Sequence, residues 1–156
     1  MPLFRTAFGA ALLVACLDDA AMATTQNVIF NGTVTATCTL VVATNGTMTA
    51  SPDLQSLSSH NSGGSAGTAT LTTTGGVSLS VDPVTLTTVP AADSTATTWT
   101  PTYSASGTHT IAETGASTAL TVPGADLVSV HLAGTKGGSN RFATGNYQAT
   151  VTLRCE

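Results

Sequence analysis

The sequence predicts an all-β chain folded as a single antiparallel sandwich of about 7–9 short strands. Three observations predict it. Apolar residues recur at every second position in several separated runs. Asn-Gly, Gly-Gly and Pro-Gly turn signals punctuate those runs at near-regular spacing. Of 156 residues, 32 are Thr and 14 are Ser, whereas charged residues make up 8% and aromatics 4%, a composition that favours strands over helices. A barrel would satisfy the same pattern. No segment holds an apolar period of 3.6 over three turns, and no internal repeat marks a solenoid or propeller. Hydrophobic residues, at 42%, suffice for the core of one domain. Four Lys and Arg against eight Asp and Glu give a net charge of −4, which excludes binding to nucleic acid by phosphate neutralisation.

The first element reads as an export signal. Arg5 precedes the apolar run 7–17, which has the length of a signal-peptide core and is too short to span a bilayer. Ala21-Met22-Ala23 fits a small-x-small cleavage site, giving a signal peptide over 1–23 and a β-sandwich domain over 24–156. Leu13-Val14-Ala15-Cys16 also fits a lipoprotein box, which would make Cys16 the lipidated first residue. No later stretch approaches the ~20 apolar residues of a membrane span.

Cleavage before Thr24 leaves Cys38 and Cys155. In an oxidising compartment a disulfide between them is the default, with two unpaired thiols as the alternative. The bond would close a loop of about 118 residues, for which chain entropy sets an upper figure of roughly 4.7 kcal/mol.

Asn27–Val42 places Val28, Phe30, Gly32, Val34, Ala36, Cys38, Leu40 and Val42 on one parity and mainly Thr on the other, the mark of a long half-buried strand. Asn45-Gly46 turns the chain and 47–50 returns briefly. Residues 56–67 read as a Ser/Gly-rich loop. A hairpin follows, 67–74 and 77–81 about Gly75-Gly76. Asp82-Pro83 interrupts, and 84–89 resumes. Trp99, Tyr103, Ile111 and Leu120 anchor short strands. Residues 127–133 alternate, with His131 on the polar side, and 134–139 read as a loop carrying Lys136. The last strand alternates through Tyr147, Ala149, Val151, Leu153 and Cys155.

The residues offer no reaction centre. The Gly-x-Ser-x-Gly spacing at 63–67 falls within the Ser/Gly-rich loop 56–67, with no strand-to-helix turn to make it a nucleophile elbow. His109 with Glu113 reads as a surface turn rather than an acid–base pair. Asp53, Asp82, Asp93, Glu113 and Asp126 are isolated beside Pro, Ser or Gly, where turn and capping roles are natural. His60, His109 and His131 are far apart in sequence and lack paired spacing to the cysteines, which argues against zinc. The expectation is a protein without catalytic residues, cofactor or metal.

The two ends carry a resemblance. Gln26–Val42 (QNVIFNGTVTATCTLVV), alternating into a cysteine, and Gly145–Leu153 (GNYQATVTL), a Gly-x-Tyr leading into the last strand, resemble the ends of spore coat protein U-like pilins of bacterial chaperone–usher fimbriae. The resemblance implies an immunoglobulin-like sandwich lacking its final strand, exported by a Gram-negative bacterium to the periplasm, cell surface or an extracellular fibre. It implies a periplasmic chaperone and other pilus subunits as partners. It also implies that 27–35 of one subunit fills the groove of the next, with Val28, Phe30 and Val34 as groove-filling side chains and Gly32 at the close approach. The alternative is that 27–42 is the domain's own first strand. The chain departs from the family in its cysteines: the usual bond runs to a residue near mid-chain, and here Cys38 is left with Cys155.

The expected function is therefore a non-enzymatic structural subunit of a surface fibre or coat, assembled by strand exchange. A self-contained carbohydrate-binding module is the second expectation, with Trp99 and Tyr103 as exposed rings stacking on sugar.

Overall fold

The computed structural model describes residues 23–156, and of Leu86 the backbone alone. The expected signal peptide, its cleavage motif up to Met22 and Cys16 lie outside the described residues. The chain divides into two units, Met1–Gly32 and Thr33–Glu156. In the first, residues 23–32 have no regular secondary structure, and Val28, Ile29 and Phe30 are 75%, 80% and 91% exposed.

The second unit is all-β, and every strand pairing in it is antiparallel. Twelve strands form, more than the 7–9 expected, because several alternating runs break into pieces of two or three residues. They are β1 (Cys38–Thr44), β2 (Thr49–Ala50), β3 (Ser56–Ser58), β4 (Gly67–Thr73), β5 (Val77–Val81) and β6 (Leu86–Thr88) in the first half of the unit. The second half holds β7 (Thr97–Gly107), β8 (Ile111–Thr114), β9 (Thr118–Leu120), β10 (Gly124–Lys136), β11 (Gln148–Thr150) and β12 (Leu153–Cys155).

β10 is the spine of the large sheet. Along one side it pairs with β4 and then with β3, which carries β2; along the other it pairs with β7, which carries β8. β1 closes the far side of β4. The smaller layer consists of β12-β5-β9 and β11-β6. These two ladders are one ribbon with a fault in it. From Cys155↔Leu79 and Leu153↔Val81 the register jumps by two residues to Thr150↔Leu86. The fault falls where Pro83, lacking an N–H, breaks the opposite strand. Hence the single C-terminal strand read from the sequence is two, β11 and β12, although its inward parity is the one expected.

Between the layers Leu71, Leu79, Tyr103, Leu120 and Val128 are buried almost completely, joined by Val77 and Ala105. The expected hairpin is not one. β4 and β5 form, but at Gly75-Gly76 the chain leaves the large sheet and enters the small one. Both glycines hold positive φ, 82° and 75°, and a Cβ on Gly75 would sit 2.9 Å from the Thr121 carbonyl oxygen. The same departure shortens the first strand. Thr74 N–H donates to Thr37 O at 3.0 Å, after which β4 is gone and the residues before Thr37 have no ladder to join. The strand expected from Asn27 therefore starts at Cys38. Within the expected loop 56–67, Ser56–Ser58 pairs with β10 and buries Leu57. One apolar residue among Ser, His and Asn left no periodicity to read.

Candidate functional site

The disulfide forms as expected: Cys38 and Cys155 are joined with their Cα atoms 6.1 Å apart, linking the first strand to the last. Both are edge strands. Among the described residues β1 pairs with β4 alone, β11 with β6 alone and β12 with β5 alone, so their outer backbone groups have no ladder partner.

Between these edges lies an open groove of about 580 Å³. Leu40, Val42, Ala69, Val130 and Leu132 of the large sheet line one side, and Ala149, Val151 and Leu153 the other. Val42 shows the gap directly. It stands on the inward parity of β1 with Leu40 and Cys38, yet it is 71% exposed because no side chain covers it. Val28, Phe30 and Val34 are exposed, and Gly32 has nothing within 4 Å of an added Cβ.

Both ends of the groove are pinned. The disulfide holds the β12 end. Near the start of β11, Tyr147 OH donates to Asp93 Oδ2 at 2.6 Å and approaches Ala143 O at 3.0 Å. Asp93 Oδ1 accepts from Lys136 Nζ at 2.7 Å, and that ammonium also donates to Thr95 O at 2.7 Å and lies 4.9 Å from the centre of the Phe142 ring. The Lys136 and Asp93 side chains are 0% and 1% exposed, a fully desolvated ion pair. Its bond to Lys136, then that from Tyr147, hold the Asp93 carboxyl down at about 2; burial and the Asp93 charge push the Tyr147 phenol up to about 12. Lys136, expected in a loop, is the inward-facing last residue of β10.

Comparison of the chain with family models, curated proteins and solved structures finds no match.

The aromatic pair expected to stack on sugar is not available as a pair. Tyr103 is fully buried, its hydroxyl within 2.8–2.9 Å of Leu79 O, Ala116 O and Thr118 Oγ1. It sits on the inward parity of β7 and is a core residue, which corrects the expectation for it. Trp99 is half-buried and lies against Gly134, where an added Cβ would stand 2.5 Å from the indole.

The histidines differ most from their sequence reading. His109 pairs with Asp126 rather than Glu113: its N–H donates to Asp126 Oδ1 and its Nδ1 meets Oδ2, each at 2.7 Å, while Nε2 is buried without a partner. Asp126 is thus a buried strand residue, not a turn residue; Asp93 is buried too, but keeps a turn role, its Oδ1 accepting from the Thr95 N–H. Asp53 does serve a turn, accepting from Ser51 Oγ and Gln55 N–H.

His60 and His131, 71 positions apart, stack with centroids 4.0 Å apart and planes 14° apart. His131 projects from the outer face of β10 opposite Thr102 of β7. His60 follows β3 and reaches over it. His60 Nε2 meets Glu113 Oε1 of β8 at 2.9 Å, and Thr102 Oγ1 donates to the same oxygen at 2.5 Å. The bond from Thr102 holds the Glu113 carboxyl below its ordinary value, with His60 adding to it; burial lowers His131. Distance along the chain was a poor guide, because β10 brings β3 and β7 to its two flanks.

Proposed function

We propose that this chain is an exported, non-enzymatic structural subunit of a bacterial surface fibre or coat, in which residues 27–35 of one copy lie as an added strand in the groove of the next. One observation carries the reading. The chain holds both halves of such a joint: an exposed alternating segment, and an apolar groove flanked by backbone edges that lack a partner. A strand entering the groove would pair through its main chain with β1 or with β11 and β12, and would set Val28, Phe30 and Val34 against Leu40, Val42 and Val151. Unpaired edges beside exposed apolar side chains invite uncontrolled association, so a chaperone that occupies the groove before assembly is the partner this reading calls for. The disulfide supports an oxidising compartment. The carbohydrate alternative lacks support once Tyr103 is in the core.

The test is light scattering and electron microscopy of the oxidised mature protein at rising concentration. Linear multimers are expected, shortened or lost in Phe30→Asp while the circular dichroism of the β unit is unchanged. A protein that stays monomeric at all concentrations, with 27–35 resistant to proteases, would overturn the proposal.

A further inference from the structure

We propose that His60, Glu113 and His131 form a binding site for one borderline divalent transition-metal ion, of the Zn²⁺ class. The inference does not rest on the fibre reading: it uses the outer face of the large sheet, although His131 and Ser59 also border the groove.

Two imidazoles and a carboxylate are the donor set that such ions favour over Mg²⁺ or Ca²⁺, which seek oxygen alone. One ligand atom from each residue lies within 4.8 Å of the other two. In a tetrahedral site with metal–ligand bonds of about 2.0–2.2 Å, donor atoms stand roughly 3.4 Å apart. The shifts needed are therefore side-chain rotations on an otherwise unchanged backbone. The near-parallel rings must splay so that their lone pairs converge. His60, with 47% of its side chain exposed, has room to turn. The ion takes the place of the His60–Glu113 hydrogen bond; the proton leaves Nε2, and the coordinated, neutral imidazole carries its one proton on Nδ1.

Each of the other two donors is already oriented by a neighbour. Ser59 Oγ meets His131 Nδ1 at 3.0 Å and is itself fixed by the Leu132 N–H at 3.1 Å, which leaves Nε2 of His131 for the metal. Thr102 steadies Glu113. Metal-binding residues are commonly held in this way, and losing such a partner costs about 10–100-fold in affinity. His109 is the internal contrast: Asp126 occupies its Nδ1, its Nε2 is enclosed, and no second imidazole accompanies it. A bound ion would tie the loop after β3 across β10 and β7 to β8, the strand at the margin of that sheet.

The experiment is calorimetric titration of the oxidised mature protein with ZnCl2, paralleled by Co²⁺ titration read in the visible spectrum. One ion per chain is expected, with a visible Co²⁺ band that Zn²⁺ abolishes. His60→Ala, at an exposed loop position that leaves the fold intact by circular dichroism, is expected to weaken Zn²⁺ at least 10-fold. Glu113→Gln should do the same, and Ser59→Ala should weaken it by about 10-fold. Absence of binding to folded protein at millimolar Zn²⁺ would overturn the proposal. So would Zn²⁺ affinity that His60→Ala and Glu113→Gln both leave unchanged.

Discussion

The two margins of the β unit are built on opposite plans. At one, β7 faces β5 and β9 across a dry seam, and the buried hydroxyl of Tyr103 bridges them. That hydroxyl has a single proton for two carbonyl oxygens, while the Thr118 hydroxyl can donate to it, so no polar atom there is left without company. At the other margin β1 and β11–β12 stay apart, with an open groove between them and Val42 bare on its inner parity. The closed margin is held along its length by packing. The open one is held at its ends, by a disulfide and by Tyr147–Asp93–Lys136. A sandwich can keep a gap where packing is absent, provided that covalent or ionic supports replace it.

That contrast breaks most severely at the ionic support. Lys136→Met removes the cation and strands a desolvated Asp93 carboxylate, with an expected loss of about 3–5 kcal/mol in urea unfolding. Lys136→Met combined with Asp93→Asn should recover part of it; if the single variant costs under 1 kcal/mol, the support is unimportant. Next is the covalent support. Replacing Cys38 and Cys155 together by Ser should cost about 2–5 kcal/mol in the same assay.

At the closed margin Tyr103→Phe keeps the ring and removes one hydroxyl, so about 1–3 kcal/mol is expected, less than either support of the open margin. The reverse order would show that the seam, not the groove ends, dominates stability.

Stability also depends on pH. Asp93 ionises at about 2 in the fold and near 3.9 when unfolded, so its contribution is present above pH 4 and is lost as the pH falls toward 2. Tyr147, at about 12 against about 10 unfolded, contributes fully below pH 10 and loses that contribution as the pH rises to 12. A plot of Tm against pH should fall at both wings, and Asp93→Asn should flatten the acid wing.

Much of the fold was legible because parity in a strand is a local property. The inward sets Cys38-Leu40-Val42, Val77-Leu79 and Ala149-Val151-Leu153 read correctly, and the cysteines on those sets met. Pairing is not local. Gly75-Gly76 reads as a hairpin turn, but whether the chain folds back or crosses to another sheet depends on partners elsewhere. The histidine cluster was not legible, since β3, β8 and β10 had first to be laid side by side. The buried Lys136–Asp93 pair was hidden for a related reason: Lys136 beside Gly looks like a loop residue until β10 carries it inward, and the turn at Asp93 does not tell that its carboxylate is buried.

The cross-link between Cys38 and Cys155 has a mechanical side. Tension applied at the N-terminus meets the bonds of Thr35 and Thr37 to Thr73 and Thr74 and then Cys38, the first residue of β1, from which a covalent route leads straight to Cys155. The 116 residues between the two sulfurs are bypassed. A pull from the N-terminus to the C-terminal residue thus travels along the groove's rim, and the ladders of the interior would remain zipped while the rim stays taut.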